Sequence, residues 1–467
     1  MNQRTPIVRS ETELNQWIGR IVAGPVRAAR DFVIDQTTYA DLYAMAAHLR
    51  PLFKPGAGAP PVCLCAEDKS VVAAALLSSL VGGPALVLPY SLEPGVLEEV
   101  RALTGFDHAV VDGPRVLPEG VTALQPRVGE GRWPAAEGLI HKAPATEWVR
   151  LFTGGSTGAP RMWSKSVRNL LAEAIAIIDY YQVTDADRMV ATVSPTHIYG
   201  LLYAILAPLL AHAAVAAPAP SFPAEIETVL DKAAATVLIS VPAHYRALNG
   251  HPLAPKHLRL AFSSAGMLAA EDAAAFSAQT GVGVAEIYGS TETGGIAARV
   301  RAAGETDFKP YGTVDVRIVG ERLRVRSEYL SPGLADSDNG YFTMGDRAAA
   351  TPNGRFMLLG RVDGIVKVGG KRVDLEAVRQ ALKDQSGVRD ALVIALSVGR
   401  ARENQIVALV EGETTVADLN RALAEMLEPY ARPRGIKVVD RIPLTAAGKY
   451  DRKQIEALFH ICRPSGT

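Results

Sequence analysis

Short apolar runs bounded by turn residues set the rhythm of most of the chain. Pro61 to Cys65 reads as a buried strand, Ser70 to Val81 as a helix and Pro84 to Pro89 as a second strand, the order of a parallel sheet. The alternation returns at Arg188 to Val193, Thr236 to Val241, Leu258 to Ser263 and Gly283 to Tyr288, each near an Ala- and Leu-rich segment of helical character. The pattern predicts an α/β fold of open sheets with helices on their faces. The most apolar stretch, Leu201 to Pro220, is interrupted by Pro208 and His212 and lacks a basic flank. It predicts a buried helix followed by a strand, not a membrane span.

Past Phe308 the texture changes. Asp315 to Val319, Leu323 to Ser327 and Arg355 to Leu359 are short β pieces divided by Gly, Pro and Asn, as in a small β subdomain. Beyond Arg361 a separate α+β unit is expected: strand Ile365 to Val368, helix Leu375 to Asp384, strands Ala391 to Ser397 and Gln405 to Glu411, helix Val416 to Leu427 and strand Gly435 to Val439. The chain should therefore form a large N-terminal domain, 1–360, and a small C-terminal domain, 361–467, although length alone suggests roughly three domain-sized units.

Composition narrows the field. Lysine plus arginine equals aspartate plus glutamate, at 49 each, so no global field recruits nucleic acid. Cys63, Cys65 and Cys462 match neither a disulfide framework nor a zinc pattern, and are expected as buried or tail thiols of a reducing cytoplasm. Residues 1–20 carry Arg4, Arg9, Glu11 and Glu13 without an apolar core, so no signal peptide is read there.

Four segments carry candidate chemistry. In Leu151 to Arg161, Gly154, Gly155 and Gly158 free the backbone to wrap a polyanion. Thr153, Ser156 and Thr157 can donate to phosphate oxygens, and Arg161 adds a fixed charge. The glycine spacing is not that of the common Gly-Lys-Ser/Thr loop, and a flexible surface turn is the bland alternative. In Glu286 to Gly295, at the end of an apolar strand, Glu292 can hold Mg²⁺ and Thr291 can reach a phosphate, against a solvated Gly/Thr turn. In Tyr341 to Asp346, Asp346 can accept both hydroxyls of a ribose with Arg361 in support, although an Asp after Gly is most often a turn residue. In Ile442 to Lys453, Lys449 on a Gly-containing loop has the reach of a cation that enters and leaves a site, against a solvated basic loop.

In this order the four segments resemble the adenylate-forming superfamily of acyl-CoA synthetases, peptide-synthetase adenylation domains and luciferases, over nearly the whole chain. Its phosphate loop is similar to Thr153 to Arg161, its Tyr-Gly-x-Thr-Glu motif to Tyr288 to Glu292 with Gly289, its Thr-Gly-Asp motif to Thr343 to Asp346, and its C-terminal lysine motif to Pro443 to Lys449. Gly154 stands where the family usually has serine and Arg161 where it has lysine, and the segment before the loop is short for the family.

The resemblance implies an ATP-dependent, Mg²⁺-using acid:thiol ligase. Thr153, Ser156, Thr157 and Arg161 would hold the β/γ-phosphates, Glu292 the metal, and Asp346 and Arg361 the ribose. Ser264, Ala265, Gly266, Glu286 and Lys367 would complete the nucleotide site, and Lys449 would bridge the substrate carboxylate and the α-phosphate. The C-terminal domain would be mobile about Asp363, with Gly369 and Gly370, on a strand from Lys367 to Arg372, leaving a channel for a pantetheine arm. The acid pocket would lie among His197, Tyr199, Gly200, Val241, Pro242, Gly266 and Tyr288. His197 is a gate there by resemblance, and equally a satisfied core histidine. No acidic residue stands out in these segments, which disfavours an amino acid and leaves an aromatic acid such as 4-hydroxybenzoate or a medium acyl chain. The thiol is CoA or, alternatively, a holo acyl carrier protein of an aryl polyene or polyketide-like pathway. A catalytically inactive nucleotide-binding relative and a luciferase-like oxygenase are the remaining readings.

Overall fold

The computed structural model describes residues 9–53, 59–134, 139–153, 160–334, 339–361, 364–398, 403–443 and 452–459. The chain separates into two compact units between Leu359 and Gly360, rather than the three that length suggests. The first holds three sheets, and the α/β expectation is met.

The larger sheet has nine strands. Its centre is the parallel set Arg188–Ala191, Val237–Ser240, Leu260–Ser263 and Val284–Ser290, which match four of the apolar runs. Strands Gly294–Val300 and Lys309–Pro310 close one edge in antiparallel fashion. On the other side lie Ala214–Val215, Asp31–Val33 and Thr37–Thr38. Alternate residues divide its two faces: Ile239 and Phe262 pack into one apolar cluster, Leu238 and Ala261 into another.

The second sheet runs Thr122–Leu124, His108–Val111, Val62–Cys65, Leu86–Leu88 and Glu147–Thr153 in parallel, with Arg161–Ser166 antiparallel on its edge. Helix Lys69–Leu80 is buried at every position, with apolar residues over most of its surface and Lys69, Ser78 and Ser79 bonded to backbone carbonyls. Asp68 starts it by accepting from the backbone N–H of Ser70 and Val71.

The Leu201 stretch is a buried helix followed by strand Ala214–Val215, as its pattern predicts. Over Leu201–Leu206 the helix widens to a π turn, the N–H of Ala207 reaching the carbonyl of Leu202. No helix among the described residues is long and apolar enough to cross a membrane. The third sheet, of four strands from Asp315–Val319 to Arg355–Arg361, is the small β subdomain.

The second unit has a hairpin, Ile365–Val368 with Lys371–Asp374, and a three-stranded sheet of Val388–Val398, Glu403–Gly412 and Gly435–Val439. Helices Leu375–Lys383 and Val416–Met426 contribute Leu382, Leu419 and Leu423 to a core shared with Val373, Ala391 and Val410.

Candidate functional site

The candidate residues of the larger unit gather at the carboxyl ends of the parallel strands. Strand Val284–Ser290 delivers Tyr288 and Gly289 and then turns through Thr291 and Glu292 into Gly294–Val300. Inside the turn Ser290 and Thr293 exchange a hydroxyl hydrogen bond of 2.8 Å, which fixes its shape. Gly289 faces Gly295 so closely that a Cβ there would stand 2.3 Å from the carbonyl oxygen of Gly294.

Three links tie the other segments to this turn. Lys165, on the strand leaving the phosphate-loop segment, is wholly buried, and its Nζ donates to the carbonyls of Glu292 at 3.0 Å and Tyr329 at 2.6 Å. Tyr288 Oη donates to Met344 Sδ at 3.6 Å, joining the turn to the Thr343–Asp346 segment. Ser264 Oγ donates to the carbonyl of Ile287 at 3.1 Å. A Cβ on Gly266 would lie 3.4 Å from Pro242 Cγ, so the Ser264–Gly266 loop rests on the Val241–Pro242 corner. Ala265 in that loop has φ 67, a left-handed conformation unusual for alanine.

Glu292 is buried, and its Oε2 has no hydrogen-bond partner among the described residues. A buried carboxylate oxygen left unpaired is costly unless a cation or donor meets it there. Among the described residues no group of three or more His, Cys, Asp or Glu could hold a metal by itself. One carboxylate suits Mg²⁺, which keeps water and phosphate oxygens for most of its shell.

Several expectations meet a different geometry. Glu286 is buried, with its carboxylate given to Arg299 Nε at 2.7 Å, Arg301 Nε at 3.4 Å and the N–H of Leu268 at 3.0 Å, so it props the strand. Asp346 is half-buried within strand Phe342–Thr351, not in a turn. His197 is exposed at a helix start and is not a core histidine. Gly200, just after it, stands where a Cβ would meet the carbonyl oxygen of Ser194 at 2.0 Å, so only glycine fits. Tyr199 donates to the carbonyl of Ser240 at 3.2 Å and meets Tyr203 edge-on at 5.1 Å.

In the second unit Gly369 and Gly370 are not within a continuous strand. They form the two-residue turn of the hairpin, with φ 54 and 79, and a Cβ at either would meet nothing. Conformation is what requires glycine there. Lys367 is exposed, and its carbonyl accepts from Asn404 Nδ2 at 3.1 Å. Thr153 stands at a strand end, where its Oγ1 accepts from Trp163 Nε1 at 3.1 Å, and Arg161 is exposed opposite it. Gly154, Gly155, Ser156, Thr157, Gly158, Asp363, Lys449 and Cys462 lie outside the described residues, as does the side chain of Arg361.

Two charged residues near the turn escaped the sequence reading. Helix Val167–Tyr181 begins with a capping box of Ser166 and Asn169, and one turn later on the same face it buries Glu173. Glu173 Oε1 accepts from the N–H of Gly295 at 2.6 Å. Burial raises this carboxyl to about 7 against the pull of Lys165, and burial lowers Lys165 to about 8 against Glu173 and Glu292. The sequence signal was a lone charge on the core face of an apolar helix.

Glycine- and hydroxyl-rich turns at the carboxyl ends of parallel strands, with an unpaired buried acid among them, are the arrangement in which open α/β sheets gather their ligands. The AMP-binding enzyme family matches residues 120–341, and the C-terminal domain of AMP-binding enzymes matches residues 377–449, together more than half of the chain; the protein belongs to this family. It is similar to the sulfoacetate–CoA ligase of Cupriavidus necator, 25% identical over 352 residues that cover 69% of this chain and 69% of the relative. It is also 25% identical, over 472 aligned residues, to the mitochondrial malonate–CoA ligase of Mus musculus, covering 84% and 80%. Among solved structures, o-succinylbenzoate CoA synthetase from Bacillus subtilis superposes with a TM-score of 0.74 at 18% identity, over 94% of this chain and 98% of that one. The amide bond synthetase of Marinactinospora thermotolerans gives 0.71 at 19%, over 95% and 99%. At these identities the structural likeness is one of fold.

Proposed function

We propose that this protein activates a carboxylic acid with ATP as an acyl-adenylate and passes the acyl group to the thiol of CoA. A carboxylate alone would have to expel oxide, and joining it to AMP supplies a leaving group. The observation that carries the reading is the Lys165 bridge, which fastens the strand leaving the glycine-rich segment to the carbonyl of Glu292 beside an unpaired carboxylate oxygen.

In this reading Thr153, Ser156, Thr157 and Arg161 bind the β/γ-phosphates, and Asp346 and Arg361 orient the ribose. Mg²⁺ at Glu292 would offset phosphate charge. Lys449 meets the substrate carboxylate and the α-phosphate, where negative charge builds. The curated relatives named above are CoA ligases, which supports CoA as the acceptor. Tyr199 and Tyr203, with Phe262 5.1 Å from Tyr203, favour a flat acid such as 4-hydroxybenzoate at the pocket.

Acid-dependent pyrophosphate exchange across benzoates, cinnamates and fatty acids, followed by mass detection of the thioester, tests the proposal. Exchange with a benzoate and a CoA product are expected, and absence of exchange with every acid overturns the reading. Lys449→Ala should lower adenylation by roughly 10²–10³ while sparing thiol transfer from preformed acyl-AMP, measured as two separate half-reactions.

A further inference from the structure

A cavity of about 370 Å³ lies along helix Val167–Tyr181, walled by Tyr180, Tyr203, Tyr311, Tyr329 and Ile177, with Glu173 and Gly295 also lining it. It shares one wall, Tyr203, with the acid pocket proposed above, and no role assigned above uses its Glu173 end. From Glu173 to Tyr180 the helix advances about 10 Å, enough for a small ring with a short arm.

Two of the four wall tyrosines, Tyr311 and Tyr329, have their hydroxyls engaged. Tyr181 and Tyr311 share a 2.8 Å hydrogen bond, and Tyr329 donates to Thr313 Oγ1 at 2.6 Å. These two walls therefore present ring faces and edges. Glu173 is 5% exposed, and among the described residues its hydrogen bonding is limited to the single N–H of Gly295. A carboxylate can accept several more bonds, so this one is under-satisfied beside open space. Gly294 and Gly295 make room for it, since a Cβ on Gly294 would stand 2.4 Å from Oε2 and one on Gly295 3.2 Å from Oε1. At the outer end Arg9 pairs with Glu13 and Asp179 while its Nε, buried, has no acceptor among the described residues.

We propose that this cavity binds a small primary amine on an aromatic body, its ammonium on Glu173, its ring among the tyrosines and a hydrogen-bond acceptor at its outer end toward Arg9. A carboxylate at one end of an aromatic cage favours an ammonium by direct pairing and by the negative ring faces. Nothing in the inference requires the acid:thiol ligase reading. An amino group of this kind can belong to a free amine or to the far end of the activated acid.

Tyramine and its neutral counterpart tyrosol are the probes, titrated calorimetrically into the full-length protein at about pH 8, above the point near 7 where burial releases the Glu173 proton. Tyramine should bind saturably and tyrosol roughly tenfold or more weaker, because a buried charged hydrogen bond is lost. Glu173→Gln should weaken tyramine by a similar factor, and Ala176→Phe, which fills the cavity from the same helix while keeping Glu173, should abolish binding of both probes. Ala176→Phe keeps the test decisive where Glu173→Gln fails to fold. Equal affinity for the two probes, no tyramine binding, or binding unchanged in Ala176→Phe overturns the proposal. Repeating the titration with ATP and 4-hydroxybenzoate separates the sources: displacement places the amine at the end of the acid site, and binding alongside makes it a separate ligand.

Discussion

Lys165 and Glu173 are the two residues whose environment differs most from what their sequence positions suggest. Glu173 sits on an apolar helix, where hydropathy reports burial but not the partner that makes a buried charge tolerable, and Lys165 sits on the polar strand Arg161–Ser166, where hydropathy does not report even the burial. The motif residues were legible because their chemistry is written in glycines and hydroxyls at short spacing. The charges that hold those motifs in place are far apart in sequence, Lys165 meeting the carbonyls of residues 292 and 329, and so were not. Glu173 also gives the protein a pH signature. Burial moves its carboxyl from 4.5 to about 7, so between these values the folded chain holds a proton the unfolded chain has released. The contribution is whole below the lower value and is lost as pH rises through the upper one, while Lys165, lowered only to about 8, stays charged across the window. Relative to Glu173→Gln, the native protein should lose on the order of 1–3 kcal/mol of stability between pH 4.5 and 7.5, read from urea midpoints.

Among the elements, the hairpin of Val284–Ser290 and Gly294–Val300 carries the most. Its register shifts between Tyr288 and Gly289, and beyond the turn Gly294 takes φ 69. A side chain at Gly294 would need that left-handed backbone and would place its Cβ 2.7 Å from Tyr329 Cβ as well as against Glu173. Gly294→Ala should therefore cost about 1–3 kcal/mol and reduce acid-dependent pyrophosphate exchange, checked by thermal melting beside the exchange assay. Apolar runs between turn signals announced the central strands of this sheet to within three residues at either end. In two segments local signals and strand pairing pull in opposite directions. Thr343–Asp346 is drawn into a ten-residue strand by its neighbour Arg322–Arg326, and Lys367–Arg372 is broken by two glycines with positive φ. Such outcomes depend on which strand lies alongside, and no local pattern contains that information.

At the scale of the whole molecule, the passage from the first unit to the second falls within a few residues of Asp363, and the two-step chemistry proposed here assigns that position a pivot. Proline there fixes one backbone dihedral, so Asp363→Pro should slow thioester formation by more than it slows adenylation, compared by single-turnover assays of each step. Each unit has its own apolar core, and Leu323, Val325 and Met344 of the small β subdomain belong to the core of the first. Inside the first unit, Cys63 and Cys65 stand on a central strand with sulfurs 3.5 Å apart, fully buried under Leu97, Val100 and Phe106, and burial pushes the Cys63 thiol well above its ordinary range. A reagent that attacks thiolates cannot reach them until the sheet parts, so these two sulfurs are a stopwatch for its opening. In a Cys462→Ser background the pace of maleimide uptake should count how often the native unit breathes, and ATP, by favouring the closed form, should slow the count.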